Sequence, residues 1–369
     1  MSTNLEARAW VKVRADELRR NYTRVTEAVG AGVRVLPMVK ANAYGLGVVE
    51  VVKCLEALDP WGFGVATVQE GVEIRRMGVQ RPIVVCSPVP PGEIGPAVES
   101  GLELFVSSLG TLKRIEDEAR AHSCVAAVHL DVDTGIGRSG FDWRTAGEWV
   151  PRISEPREHV RWVGYSTHLH SADEDEASIS EQWGRLGTAL ADLQGRGELL
   201  VHVLNSAGIF RAPPFTTALV RPGIFLYGGE VGASNPSPDP VVSVHARVVH
   251  LREVEAGTTA GYGATYRAAR SERWATLSIG YGDGLPRSLG NRGSVLLHGA
   301  FAPIIGRISM DVTVVNITDL PEVSLGDVAT VLGSDGDGAI TIDALAGLAG
   351  TISYEVLTGL AARLPRVWV

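Results

Sequence analysis

Cysteine is scarce in this chain. Its three residues, Cys54, Cys86 and Cys124, lie far apart, two of them in apolar runs. That argues against a disulfide or metal framework and for reduced core thiols in a cytosolic protein. Long apolar runs are missing as well. The longest stretch without Asp, Glu, Lys or Arg covers 14 residues, 293–306, and is broken by three glycines and a proline. It is too short to cross a bilayer. The start, MSTNLEARAW, has no apolar segment behind basic residues, so export is not expected and a cytoplasmic location is. Excess positive charge is also absent: 34 Lys and Arg stand against 42 Asp and Glu, a net charge of −8. A surface of that sign repels phosphate backbones and anionic lipid heads, which argues against nucleic-acid and membrane partners.

What is present is the balance of an ordinary globular chain, with 45% hydrophobic and 21% charged residues. A length of 369 residues suggests two domains at roughly 150 residues each, although one α/β barrel alone takes about 250. Glycine is abundant, at 43 residues against a usual share of about 7%. Many turns or close backbone approaches to a ligand are expected.

The first two-thirds alternates strand and helix patterns. Eight β-rich runs fall at 33–39, 62–66, 82–86, 102–106, 125–132, 162–166, 200–204 and 217–220. The clearest helix is 174–194, where Ile179, Trp183, Leu186, Leu190 and Leu193 share one face. Another precedes the first run, with Leu18, Tyr22, Val25 and Ala28 on its inner face. Eight strands interleaved with helices imply parallel pairing by right-handed crossovers, and the count fits a closed (β/α)₈ barrel. Near residue 236 the texture changes. The Pro-rich stretch 235–240 reads as a stiff linker, and alternating strands follow at 241–254, 274–279, 294–297, 312–317 and 327–332. A mostly antiparallel β domain over 236–369 is expected after a barrel over 14–235. The β-like segment within residues 1–13 stands outside the eight runs and could join that second domain.

Barrel enzymes carry their chemistry at the C-terminal ends of the strands. The first run ends in Val39-Lys40-Ala41-Asn42-Ala43-Tyr44-Gly45. A lysine closing an apolar strand either reaches solvent or has its pKa lowered, and lysines of the second kind form Schiff bases. The fifth ends in Asp131-Val132-Asp133-Thr134-Gly135-Ile136-Gly137-Arg138, where a tight loop would project a forked cation suited to a carboxylate or simply to the surface. After the sixth comes Thr167-His168-Leu169-His170; its His-x-His pair lacks partners at ligand spacing, so no metal is expected. The seventh and eighth give His202-Val203-Leu204-Asn205-Ser206 and Arg221-Pro222-Gly223-Ile224. Ser206 with the amides around Gly223 and Ile224 would form a phosphate cradle after strands seven and eight, the usual place for one. In the second domain, Gly261-Tyr262-Gly263 presents a tyrosine with few packing neighbours, as fit for function as for a hydrogen-bonded loop.

Taken in order, these motifs resemble the alanine racemase family, pyridoxal-phosphate enzymes that join a barrel to a C-terminal β domain. Val39 to Gly45 resembles its cofactor-lysine motif and Gly261-Tyr262-Gly263 its catalytic-tyrosine loop. Arg221-Pro222-Gly223, Tyr281-Gly282-Asp283-Gly284, Arg307-Ile308-Ser309-Met310-Asp311 and Gly350-Thr351-Ile352-Ser353-Tyr354-Glu355 match further signatures in the right order. The resemblance implies that Lys40 carries pyridoxal 5'-phosphate. Lys40 and Tyr262 then act as acid–base partners on opposite faces of the substrate's Cα, Lys40 toward the D-enantiomer and Tyr262 toward the L-enantiomer. Tyr44, Ser206, Gly223, Ile224 and Tyr354 would hold the phosphate. Arg221 would face the pyridine nitrogen with His202 behind it, and His168 would serve the cofactor side and the tyrosine. Arg138 and the Met310 backbone would take the substrate carboxylate, with Tyr281 and Asp311 in support. Tyr262 and Met310 would come from a partner subunit, making a homodimer with shared sites. A narrow entrance points to alanine, with serine as the alternative, and the expected role is D-alanine supply for peptidoglycan.

Two positions depart from the family. Leu46 replaces a common histidine to which no chemistry is assigned. Asp131, seven residues before Arg138, stands where many members have a carbamylated lysine that braces the arginine. The expectation is that Asp131 braces Arg138 directly or through one water. Two other classes are disfavoured. A barrel-only cofactor-homeostasis protein lacks the β domain, and a decarboxylase of this fold uses an acidic residue where Arg221 stands.

Overall fold

The computed structural model describes residues 7–193, 199–211 and 217–369. Residues 1–6 of the expected N-terminal segment and Gln194, the expected helix end, lie outside the described residues.

Short apolar strands build the first layer. Phe63–Val65, Ile83–Val85 and Glu103–Val106 are buried along their whole lengths, as parallel strands covered on both faces must be. With Ala126–Asp133, Val160–Ser166 and Leu200–His202 they pair in parallel, in chain order. The ring closes through Arg34–Val35, which pairs in parallel with Leu219–Val220. Hydrogen bonds from Gly64 to Pro37 and from Ala218 to Val201 join this pair to the rest. The expected (β/α)₈ barrel is therefore present.

Helices cover the barrel with their apolar stripes. Glu176–Ala189 is capped by the Asp175 side chain on the Ala177 amide and buries Ile179 and Leu186, with Leu190 just beyond it also buried. The first helix, Ala15–Val29, buries Leu18, Asn21, Tyr22 and Val25. Ala28 is exposed, against expectation, and Val29 packs inward instead. Asn21 belongs inside because it fastens the linker: its amide donates to Leu226 and Asp239 carbonyls, and its oxygen accepts from the Asp239 N–H at 2.8 Å.

The second layer is a nine-stranded, mostly antiparallel sheet around the long strand Val242–Val254. Ala9–Val13 pairs antiparallel with that strand and parallel with Arg366–Trp368. Glu272–Leu277, Ser294–Leu297, Thr313–Asn316 and Val328–Asp335 complete its middle. Two short helices, Ile342–Ala349 and Ser353–Thr358, were not foreseen in this mostly antiparallel β domain. Thr341 caps the first, and Gly350 ends it at φ 78°. The second carries Tyr354 to the barrel mouth. No described helix is long and apolar enough to cross a membrane.

Candidate active site

The loop after the first barrel strand is wound the wrong way. Ala41, Asn42, Ala43 and Tyr44 all have φ between 52° and 54°, and Gly45 follows at 82°. Left-handed turns cost non-glycine residues roughly 1–2 kcal/mol each, so neighbours must hold this one. The Ala41 amide donates to Glu70 Oε1 at 2.6 Å, and the Val48 amide donates to Asn42 Oδ1 at 2.8 Å. From the second domain, Arg366 donates twice to the Gly45 carbonyl. The turn sets Lys40 and Tyr44 on one pocket wall. Tyr44 stacks on Tyr227 with ring centroids 4.5 Å apart, and Tyr227 donates its hydroxyl to the Met38 carbonyl.

At the C-terminal mouth of the barrel, one pocket brings together Lys40, Tyr44, Asp131, Arg138, His168, Ser206, Arg221, Gly223, Ile224 and Tyr354. Ser206 Oγ accepts from the Gly223 and Phe225 amides at 2.8 and 3.4 Å, leaving its own proton for a ligand. A Cβ on residue 223 would lie 2.2 Å from the Tyr44 hydroxyl, so only glycine lets the two approach. Two hydroxyls and a backbone turn thus converge where barrels bind phosphate, and the donor set fits the phosphate of pyridoxal phosphate. Lys40 lies in the same pocket and would supply the amine that such a cofactor needs.

Burial and positive charge shape the electrostatics. Burial holds the Lys40 ammonium below its ordinary pKa, and Arg138 and Arg221 push the same way against Cys86 and Glu70. Burial, then Arg221, Arg138 and Lys40, takes His168 down to about 3, so its imidazole is neutral. Burial pushes the Cys86 thiol up to about 11. A pocket with these cations attracts a phosphate and a carboxylate. Arg221 is buried: it donates to His202 Nδ1 at 2.9 Å, to the His202 carbonyl, and to the Thr167 carbonyl at 2.9 Å.

Asp131 differs from expectation. Its Oδ2 accepts from Ser107 at 3.1 Å and Ser139 at 3.0 Å, and among the described residues it makes no ion pair with Arg138. The carboxylate is turned to the two serine hydroxyls instead, so the direct form of the expected brace is not made. One of its two partners, Ser139, is the residue that follows Arg138 in the chain. Burial raises the Asp131 carboxyl, opposed by both serines and by the two arginines.

The second domain brings Tyr354 to the pocket but places its other candidates elsewhere. Tyr262, Met310, Tyr281 and Asp311 do not line the pocket. Tyr262 is 69% exposed and Met310 53%. Gly261, at φ 72°, packs so tightly on the Arg307 amide that a Cβ would lie 2.7 Å from it, which fixes the tyrosine's loop. The Tyr281-Gly282-Asp283-Gly284 motif has a physical task the sequence did not disclose. Asp283 is wholly buried and accepts from Arg8 at 2.6 Å, Arg363 at 2.7 Å and the Gly280 amide at 3.0 Å. Arg363 also pairs with Asp311 at 2.8 Å. Tyr281 and Gly282 amides donate to the Ser309 and Met310 carbonyls, so the motif pins the Met310 loop. Asp283, Arg363, Glu70 and Cys86 were all missed as site residues. Only the acid between two glycines was a signal.

Residues 13–231 match the alanine racemase N-terminal domain and residues 241–368 the alanine racemase C-terminal domain. The alanine racemase of Syntrophobacter fumaroxidans is 36% identical over 356 residues, 95% of this chain and 94% of that one. The solved alanine racemase of Clostridium difficile superposes with a TM-score of 0.92 at 29% identity, over 99% and 97% of the two chains. The alanine racemase of Bartonella henselae, solved with covalently bound pyridoxal phosphate, gives 0.90 at 30% identity over 98% and 100%. Two domain matches that together span almost the whole chain, with relatives of that identity and coverage, decide the assignment. The chain belongs to the alanine racemase family of isomerases.

Proposed function

We propose that the protein interconverts L- and D-alanine with pyridoxal 5'-phosphate held on Lys40, and that two chains share each site. The observation that carries this reading is the convergence of a partly buried lysine with a phosphate cradle in one cationic pocket. The Bartonella neighbour, which holds the same cofactor covalently, supports it. When bound, the cofactor withdraws electrons from the substrate's Cα and makes its proton acidic.

This chain's residues do the rest. Tyr44, Ser206 and the turn at Gly223 and Ile224 hold the phosphate, and Tyr354 narrows the entrance beside Tyr44, 6.1 Å between centroids. Lys40, more readily neutral than an ordinary lysine, moves the proton on one face of Cα. Arg221 has only donors to offer and no proton to give up at neutral pH, so it would leave a pyridine nitrogen beside it unprotonated, which would favour simple proton exchange over transamination. Arg138, which has no hydrogen-bond or ion-pair partner among the described residues, takes the substrate carboxylate.

Among the described residues, Tyr262 does not line the pocket of its own chain. Tyr262 and Met310, exposed on the second domain, serve the opposite face of Cα from the partner subunit in a homodimer, with the neutral His168 as the tyrosine's polar neighbour. Tyr281 and Asp311 steady the Met310 loop. The small entrance selects alanine, with serine as the second candidate. The product supplies D-alanine for peptidoglycan from the cytoplasm. The test is chiral chromatography of L-amino acids incubated with purified protein and cofactor. D-alanine should accumulate fastest, and borohydride should fix the cofactor to Lys40. A colourless protein that racemises nothing would refute the reading.

A further inference from the structure

The interior of an α/β barrel is ordinarily filled with layers of branched apolar side chains. Much of this one follows suit, with Leu36, Val84, Phe105, Val163, Leu200 and Leu219 in a single buried cluster. A polar string nevertheless runs through it. Glu103, on the fourth strand, accepts from His129 Nε2 at 2.7 Å. His129, on the fifth, meets His202 Nε2 through its Nδ1 at 3.0 Å. His202, on the seventh, meets Arg221 through Nδ1 at 2.9 Å. Both histidines are fully buried, and Arg221 and Glu103 nearly so. Phe105 lies against both imidazoles, with centroids 5.9 and 5.6 Å away. Polar groups in such a place are costly unless every one is satisfied.

The ends of the string decide every proton in it. A guanidinium only donates, so His202 Nδ1 accepts and the His202 proton sits on Nε2. That proton is donated to His129 Nδ1, which must therefore be bare, leaving the His129 proton on Nε2. A carboxylate only accepts, and Glu103 takes that last bond. No other arrangement keeps all three contacts, and neither imidazole can be cationic while they persist.

We propose that Glu103 and His129 are positioning residues for Arg221: through His202 they lock its guanidinium in place and deliver a carboxylate's charge to the far side of it. The free edge of Arg221 faces the pocket. The string therefore sets how strongly that edge acts on the cofactor ring, and this part rests on the function proposed above. His202 was expected behind Arg221; the two residues beyond it connect the catalytic mouth to the opposite end of the strands.

The test uses the holoenzyme labelled with ¹⁵N-histidine. His129 and His202 should both be neutral with the proton on Nε2. Glu103→Gln keeps an acceptor and the shape but removes the charge. It should shift the absorption maximum of bound pyridoxal phosphate and lower kcat about tenfold, a loss on the scale of one charge-assisted hydrogen bond, with KM for alanine within about twofold of wild type. Glu103→Asp should restore part of the spectral shift. His129→Leu should repeat the shift more strongly, and if it fails to fold, Glu103→Gln still decides. A proton on Nδ1 of either histidine, or an imidazolium, would overturn the proposal. So would an unchanged absorption spectrum in Glu103→Gln, whatever happens to its melting temperature. The tautomers are read without turnover, so a protein that fails to racemise would strike the functional reading and leave this result standing.

Discussion

The barrel mouth and the loops of the second domain are built in opposite ways. At the mouth, three functional side chains are held by their own chain: Arg221 by His202 and Thr167, Tyr44 by Tyr227, Ser206 by the turn at Gly223. In the second domain the backbone is fixed just as firmly, by Asp283 and its arginines, yet Tyr262 and Met310 project into open space. Two firmly held loops thus leave a tyrosine and a methionine uncovered. The contrast carries the proposal of a shared site: one half is complete within the chain and the other is presented to a neighbour.

The barrel half breaks most completely at Gly223. Gly223→Ala puts a methyl group 2.2 Å from the Tyr44 hydroxyl. Overpacking of that kind reaches about 3 kcal/mol, so affinity for pyridoxal phosphate should fall about a hundredfold. Equilibrium dialysis measures it, and near-normal retention would show that the cradle lies elsewhere.

A smaller effect is expected at the proposed carboxylate clamp of the barrel half. Asp131→Asn leaves Ser107 and Ser139 an acceptor but removes the charge near Arg138. Loss of roughly 1 kcal/mol from the carboxylate clamp should raise KM for alanine about fivefold. Uptake of cofactor should be unchanged, and equal KM values in mutant and wild type would leave Asp131 a purely local cap. A subtler test concerns Lys40. Burial disfavours its ammonium form, so the pKa lies below the ordinary 10.5. The neutral amine is the reactive form, so cofactor uptake by the apoprotein should rise with pH and level off at a midpoint below 10.5. A midpoint at or above that value would contradict the electrostatics described here.

How much of this was legible depends on the range of the forces involved. Periodicity exposed the helix with Ile179 and Leu186, and eight apolar runs exposed the barrel, because both are local patterns. Strand ends were harder: the run at 33–39 contains only Arg34–Val35 as a ladder strand. Past it the chain bends into the left-handed turn after Lys40. Nothing in Ala41-Asn42-Ala43-Tyr44 announces that turn, since Glu70 and Arg366 impose it from distant segments. Asp131 was recognised, but its serine partners were not, because they arrive from the neighbouring strand's end and from the next loop. His129 and Glu103 carried no signal at all. On a strand, a single histidine reads as core until its partners are placed beside it.

The comparison of the two halves stands or falls on one experiment. Lys40→Ala and Tyr262→Ala chains, each inactive alone, are mixed under conditions that exchange subunits, and racemisation is followed by chiral chromatography. If a site draws Lys40 from one chain and Tyr262 from the other, each heterodimer holds one intact site. Random exchange should then restore activity to about a quarter of that of the same amount of wild-type protein. No recovery in demonstrated heterodimers would mean that both residues act from the same chain, contrary to this account.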